Sequence, residues 1–215
     1  MLSFLRASDP PRTKTADETT TVFENGRSSV QFAAPGSEYI MTQRIPPTTK
    51  EHGASLLQPP FHYHLYQDEH FRVQSGRASF FTGLGPDPAV VLSPDGVTTT
   101  SVKAGTYHRF ENASATEDLV LDIKLTPETY EQEQRFFRNF FSYLDDCTKT
   151  KTPPSIFQLL VFLHGADTPL VIPLPVEWLG RMLSRILLSG GAAWGRYVLG
   201  YQPSYEEYYD DKKTK

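Results

Sequence analysis

Cysteine is nearly missing from this chain: Cys147 is the single one in 215 residues. No disulfide can form within the chain, and a reducing compartment is expected. Basic charge is scarce too. Lys and Arg number 21 against 25 Asp and Glu, a formal net charge of -4, which offers no basic stripe for phosphates, so no nucleic-acid partner is expected. Long apolar runs are lacking as well. No stretch approaches the roughly 20 residues that span a bilayer, so no membrane span is expected. Met1–Arg6 is too short an apolar run for a signal peptide. These absences lead to the expectation of a cytoplasmic protein with one sizeable core and an extension.

What is abundant is short, turn-bounded, strand-like segments. Thr21–Glu24 and Ser28–Phe32 flank Asn25-Gly26, whose two residues both tolerate positive φ, and this predicts a hairpin. Residues 38–45, 69–74, 77–82, 90–92 and 98–102 read as further strands, the last two around the turn Ser93-Pro94-Asp95-Gly96. Leu119, Leu121, Ile123 and Leu125 alternate with Val120, Asp122 and Lys124, a period-2 strand with one apolar face. Many short strands at even spacing predict an antiparallel β-sandwich or barrel.

At Thr126 the period changes. Thr126-Pro127-Glu128 reads as a helix start, followed by Tyr130, Phe136, Phe137, Phe140, Phe141 and Leu144 near helical spacing. Ser155 is placed to cap a helix over 156–163. A third helix is predicted over 176–188, with Trp178, Leu179, Met182, Leu183, Ile186 and Leu187 on one stripe and Gly190-Gly191 as its break. The expected organisation is a flexible arm over 1–20, a β-barrel over 21–126, a helical extension packed on it over 127–200, and a polar, solvated tail over 201–215.

The chemistry concentrates in His62-x-His64-x4-Glu69-x6-Gly76. On a strand, residues two apart leave the same face, so both imidazoles point one way. Leu65–Asp68 is long enough to turn the chain back and bring Glu69 alongside, aimed at the same point. Two imidazoles and a carboxylate so placed suit a divalent transition metal. A third histidine follows in Gly105-x2-His108-x3-Asn112.

These two spacings resemble the motifs of the cupins, Gly-x5-His-x-His-x3-4-Glu-x6-Gly and Gly-x5-Pro-x-Gly-x2-His-x3-Asn. Leu56 stands where the first motif opens with Gly, and Lys103 stands where the second has Pro; neither position holds a metal in the family. The resemblance covers residues 20–126. It implies a mostly β fold, an antiparallel cupin-type barrel (a double-stranded β-helix or jelly roll) carrying a C-terminal helical extension. It implies one divalent transition metal, with Fe favoured over Mn, Zn, Ni or Cu, held by His62, His64, Glu69 and His108. A homodimer is expected from the same resemblance.

Three imidazoles and one carboxylate leave two positions open if the ion is octahedral, which distinguishes a reactive site from a structural one. Alternation from Glu69 and His108 turns Phe71, Val73, Thr106 and Phe110 inward as candidate pocket residues. From strand 39–45 either Tyr39, Met41 and Gln43 or Ile40, Thr42 and Arg44 face in. Tyr63 and Tyr107, next to the histidines, are expected to point outward. A Phe-walled pocket suits a small apolar or aromatic substrate. The architecture looks like that of cupins in fungal specialised (secondary) metabolism, and an oxidoreductase of the dioxygenase type is the favoured function. The alternatives are a non-redox Lewis-acid isomerase, cyclase or decarboxylase, and a non-enzymatic metal- or ligand-binding cupin. No catalytic residue beyond the four metal positions is assigned.

Overall fold

In the computed structural model, residues 9–210 are described. The chain divides into two compact units. One spans Thr19–Tyr130, and the other joins residues 131–210 to residues 9–18.

The first unit is built of nine antiparallel strands in two sheets. Strands β1 (Thr20–Phe23), β2 (Ser28–Phe32), β3 (Met41–Ile45), β4 (Asp68–Ser75), β7 (Thr99–Val102) and β9 (Leu119–Thr126) form a sheet of order β1-β2-β3-β9-β4-β7. Strands β5 (Ala78–Thr82), β6 (Val90–Leu92) and β8 (His108–Asn112) form the other, ordered β6-β5-β8. The β1–β2 hairpin forms as expected, with Glu24, Asn25 and Gly26 all at positive φ. The Glu24 carboxylate supports that turn by accepting from the Ser28 and Ser55 hydroxyls at 2.6 and 2.5 Å. Around Ser93–Gly96, β6 and β7 do not pair with each other. β6 joins β5 and β7 joins β4, so the turn carries the chain from one sheet to the other.

The interior lies between the sheets. Phe71 of β4 packs on Phe80 of β5 and Phe110 of β8, with ring centroids 4.6 and 5.5 Å apart. On β3 the buried set is Met41, Gln43 and Ile45, which resolves the choice the sequence left open. β9 buries its expected leucines and Ile123, and Asp122 on its other face is buried as well. That carboxylate accepts from the Thr42 hydroxyl at 2.6 Å, Arg72 Nε at 2.9 Å and Gln74 Nε2 at 2.6 Å, so its burial is compensated.

Gly76 has φ +78°, and a methyl there would overlap the Asp118 carbonyl oxygen and sit 2.9 Å from Leu119 Cα. Backbone cannot yield as a side-chain tip can. Gly76→Ala is therefore expected to cost about 2–4 kcal/mol in urea or thermal unfolding. A loss under about 1 kcal/mol would show that the loop relaxes freely.

The second unit holds α1 (Tyr130–Lys149), α2 (Ile156–Gly165), α3 (Glu177–Ala193) and a π-helical turn (Trp194–Leu199). α1 begins at Tyr130, later than Thr126-Pro127 suggested, because Thr126 is still paired to Asp68 as the last residue of β9. Phe136 and Phe140 pack within this unit, against Leu160, Leu163 and Leu188. Gly190-Gly191 does not break α3. A Cβ on Gly191 would strike Leu160, so this glycine permits close helix approach and the helix runs on.

Residues 9–18 and 201–210 are pinned, where a loose arm and a solvated tail were expected. Thr13 donates to Asp146 from its N–H at 2.7 Å and its hydroxyl at 2.6 Å, and the Tyr208 hydroxyl donates to the same carboxylate at 2.7 Å. The Glu207 carbonyl accepts from the N–H groups of Thr15 and Ala16. Tyr205 donates its hydroxyl to Gln158 at 2.6 Å. Tyr201, Tyr205, Tyr208 and Tyr209 carry the packing of a segment whose charges alone suggest solvation. Tyr208 is 0% exposed. The expected tail over 211–215 and arm over 1–8 lie outside the described residues. Among the described residues, no helix is long and apolar enough to cross a membrane.

Candidate metal centre

Glu69 reaches the interior from β4 of the larger sheet and His108 from the start of β8 in the smaller one. His62 and His64 lie on a short extended segment outside the named strands, joined to β8 by a bridge. The His62 N–H donates to the His108 carbonyl at 3.0 Å, and the His108 N–H donates back at 2.9 Å. The Gly105 N–H, at positive φ, then donates to the His64 carbonyl at 2.7 Å. So Glu69 does not come alongside the histidine segment on a paired strand. It faces the histidines across the interior, from the opposite sheet.

One nitrogen or oxygen from each of His62, His64, Glu69 and His108 can be chosen so that all lie within 4.8 Å of one another, and all four residues are buried. Glu69 Oε2 is 3.2 Å from His64 Nε2 and 2.9 Å from His108 Nε2. The backbone orients two of the rings. His62 Nδ1 lies 3.0 Å from the Pro60 carbonyl, and His108 Nδ1 lies 2.9 Å from the Thr106 carbonyl. A carbonyl can only accept, so Nδ1 carries a proton in both rings, which leaves Nε2 as the ring atom turned to the interior. Outer hydrogen bonds of this type orient imidazoles that ligate metals.

The electrostatics agree with a cation site. Burial, followed by the neighbouring His108 and His64, depresses the His62 pKa well below its ordinary value, so this ring is neutral. Burial alone would raise Glu69, but the charges and hydrogen bonds of His64 and His108 overcome it and hold the carboxyl well below the usual carboxylate range. A divalent ion taking the place of those imidazole protons would meet the ionised carboxylate and neutral rings that metal binding requires. By donor set, orientation and charge, the residues fit a transition metal.

The other motif residues build the frame. Asn112 donates from Nδ2 to the carbonyls of Ile45 at 3.0 Å and Glu117 at 2.8 Å, and accepts from the Ser114 N–H at 2.9 Å. It clamps strand ends and lies outside the cluster. Where the second motif lacks proline, the Asp68 carboxylate holds the turn, accepting from Lys103 Nζ at 2.7 Å and the Ala104 N–H at 2.9 Å. Those two hydrogen bonds, Lys103 first, lower its pKa.

Of the candidate pocket residues, Phe71, Val73 and Phe110 are buried and Thr106 is partly so. Tyr63 and Tyr107 are buried, against expectation, with ring centroids 5.3 Å apart; turning away from the histidines brings them onto each other instead of into solvent. Glu111 pairs with Arg109 on the outer side of β8, and the Arg72 guanidinium lies 4.3 Å from the Tyr39 ring centre. His70 turns outward to the Thr126 hydroxyl at 2.7 Å. Gln43 belongs to the inward one of the two alternative sets of β3. It is buried on the inward face of β3, its Nε2 lies 3.7 Å from Met41 Sδ, and its Oε1 has no hydrogen-bond partner among the described residues. A Gln in an otherwise apolar inward stripe was the available signal.

Two facing antiparallel sheets, with the histidines and the glutamate of both cupin motifs gathered between them, define a cupin. The chain belongs to the family of fungal oxidoreductases that includes the probable oxidoreductase virH of Hypocrea virens. It is 35% identical to virH over 170 residues, 74% of this chain and 73% of that protein. Oxidoreductase iacF of Pestalotiopsis fici is 36% identical over 152 residues, 68% of this chain and 72% of iacF. Oxidoreductase OpS7 of Beauveria bassiana is 28% identical over 94% of this chain and 74% of its own. No family model matches the chain. Among solved structures, the Drosophila melanogaster CENP-C cupin domain is 14% identical, covering 58% of this chain and 90% of that one at a TM-score of 0.36. CapF from Staphylococcus aureus is 18% identical over 51% of this chain and 28% of that one, at 0.39. At such scores the likeness is loose, and the cupin class stands on strand arrangement and motifs.

Proposed function

We propose that this protein is a metal-dependent cupin oxidoreductase of the dioxygenase type, acting on a small, largely apolar or aromatic molecule of fungal specialised metabolism. The observation that carries this reading is the convergence of four buried donors within 4.8 Å. The names of the relatives support the redox class. His62, His64, Glu69 and His108 would hold the ion, with the two carbonyl-bound imidazoles keeping their orientation without reorganisation. An iron-type ion in such a site supplies electron transfer between an organic substrate and O2.

The chain's own part is to shape and dry the space beside the ion. Phe71, Val73 and Phe110 would exclude water and favour an aromatic face. Gln43 would serve the far end. Strand register sets Gln43 beside Leu121 and Leu121 beside Val73, two rows along β4 from Glu69. Its unpartnered Oε1 would accept from a substrate hydroxyl.

Metal analysis of the purified protein, followed by oxygen uptake with phenolic substrates, tests the function. Iron or copper with stoichiometric oxygen consumption supports it. Zinc or nickel with turnover but no uptake sinks the redox reading and leaves Lewis-acid chemistry. For Gln43→Leu, stability is expected to hold or rise by about 1 kcal/mol, because an unsatisfied buried amide is removed. KM for a hydroxylated substrate should rise about tenfold, the equivalent of roughly 1.4 kcal/mol. A destabilised protein with unchanged KM would make Gln43 structural.

A further inference from the structure

Helix α3 is amphipathic in the reverse of the usual sense. It packs through Gly180, Ser184, Leu188 and Ala192, a buried stripe of mostly small residues. The close approach is visible at Gly180, where an added Cβ would lie 2.6 Å from the Ile172 carbonyl oxygen. The large apolar residues that the sequence suggests as a packing stripe point to solvent. Trp178 is 67% exposed and Ile186 59%, with Met182 and Leu187 beside them and Trp194, 50% exposed, continuing the face past the helix end. Tryptophan and large aliphatic side chains sharing one exposed face is the arrangement of a helix lying in a lipid interface, where tryptophan settles at headgroup level.

The charges select the occupant. From Trp178 to Tyr205 the chain contains Arg181, Arg185 and Arg196 and no Asp or Glu, in a protein of net charge -4. Arg181 is tied at the start of the helix to Glu177 at 2.6 Å. Arg185 is exposed and immediately precedes Ile186 along the apolar face. Cations bordering an apolar strip complement anionic headgroups, whereas a second copy docked on the same face by two-fold symmetry would bring these arginines near their own counterparts.

We propose that the exposed face of α3 and its π-helical continuation docks onto an anionic membrane surface, lying on the bilayer without crossing it. The metal site and its chemistry have no part in this inference.

Both tryptophans of the chain lie on the face, so their emission reports docking directly. The full-length protein is mixed with vesicles of phosphatidylcholine, alone or with about 30% phosphatidylserine. The expected result is co-sedimentation with the anionic vesicles, a blue shift of emission, and weakening as salt rises. Ile186→Asp with Leu187→Asp should reduce partitioning at least about tenfold while leaving the circular dichroism unchanged, because both positions are exposed. Arg185→Glu, which removes no apolar contact, should weaken binding to anionic vesicles specifically. No co-sedimentation with either vesicle, or binding indifferent to these substitutions, overturns the proposal. So does a doubled mass in solution that the double variant returns to monomer, since the face is then a self-interface.

Discussion

If the proposed ion is bound, replacing His64 by alanine is expected to abolish its retention while the β unit still folds. The loss should exceed the roughly 10–100-fold in affinity that follows when only an outer partner of a ligand is removed. Folding should survive because the frame does not pass through this ring. The His62–His108 bridge, the β4–β9 ladder and the Phe71–Phe80–Phe110 contacts all remain. The Gly105 bond to residue 64 uses only its backbone carbonyl. Metal content by elemental analysis, with circular dichroism on the same sample, makes the comparison. An His64→Ala protein that keeps a stoichiometric ion, or turns over without one, removes the site assignment.

The second large effect is expected far from that chemistry. Asp146→Ala should cost about 3–5 kcal/mol in urea denaturation, because a buried carboxylate serving several donors leaves them all unsatisfied when it goes. Those donors are the Thr13 N–H, the Thr13 hydroxyl and the Tyr208 hydroxyl. Burial, then Asp146 itself, raises the Tyr208 pKa, so the phenol stays protonated and remains a donor. Tyr208→Phe keeps the ring and loses one of these hydrogen bonds, so it should cost about 1–2 kcal/mol. If Asp146→Ala costs no more than that, residues 9–18 and 201–210 are only lightly held.

Period-2 alternation in β9 and the Asn25-Gly26 turn were legible because each is a local rule: side-chain direction and backbone freedom depend on the residue itself. The four metal-type residues were legible for a related reason, since few strand segments place imidazoles two apart with a carboxylate and glycine at fixed distances beyond. Which face of β3 turns inward was not legible, because a one-residue slip exchanges the two sets and nothing within Tyr39–Ile45 prefers either. Nor was the role of Gly191, since a glycine reads alike as a helix break or a site of close approach until Leu160 is seen against it.

The residue order alone thus settled the β character of the unit over 19–130, the family of the chain and the identity of its four converging donors. Three-dimensional packing settled which element each donor comes from, how the terminal segments are held, and that α3 buries its small residues and displays its large ones. The reason is that local rules specify where a side chain points along its own strand or helix, whereas burial depends on which neighbour arrives from elsewhere in the chain. Leu160 against Gly191 and Thr13 against Asp146 are such arrivals.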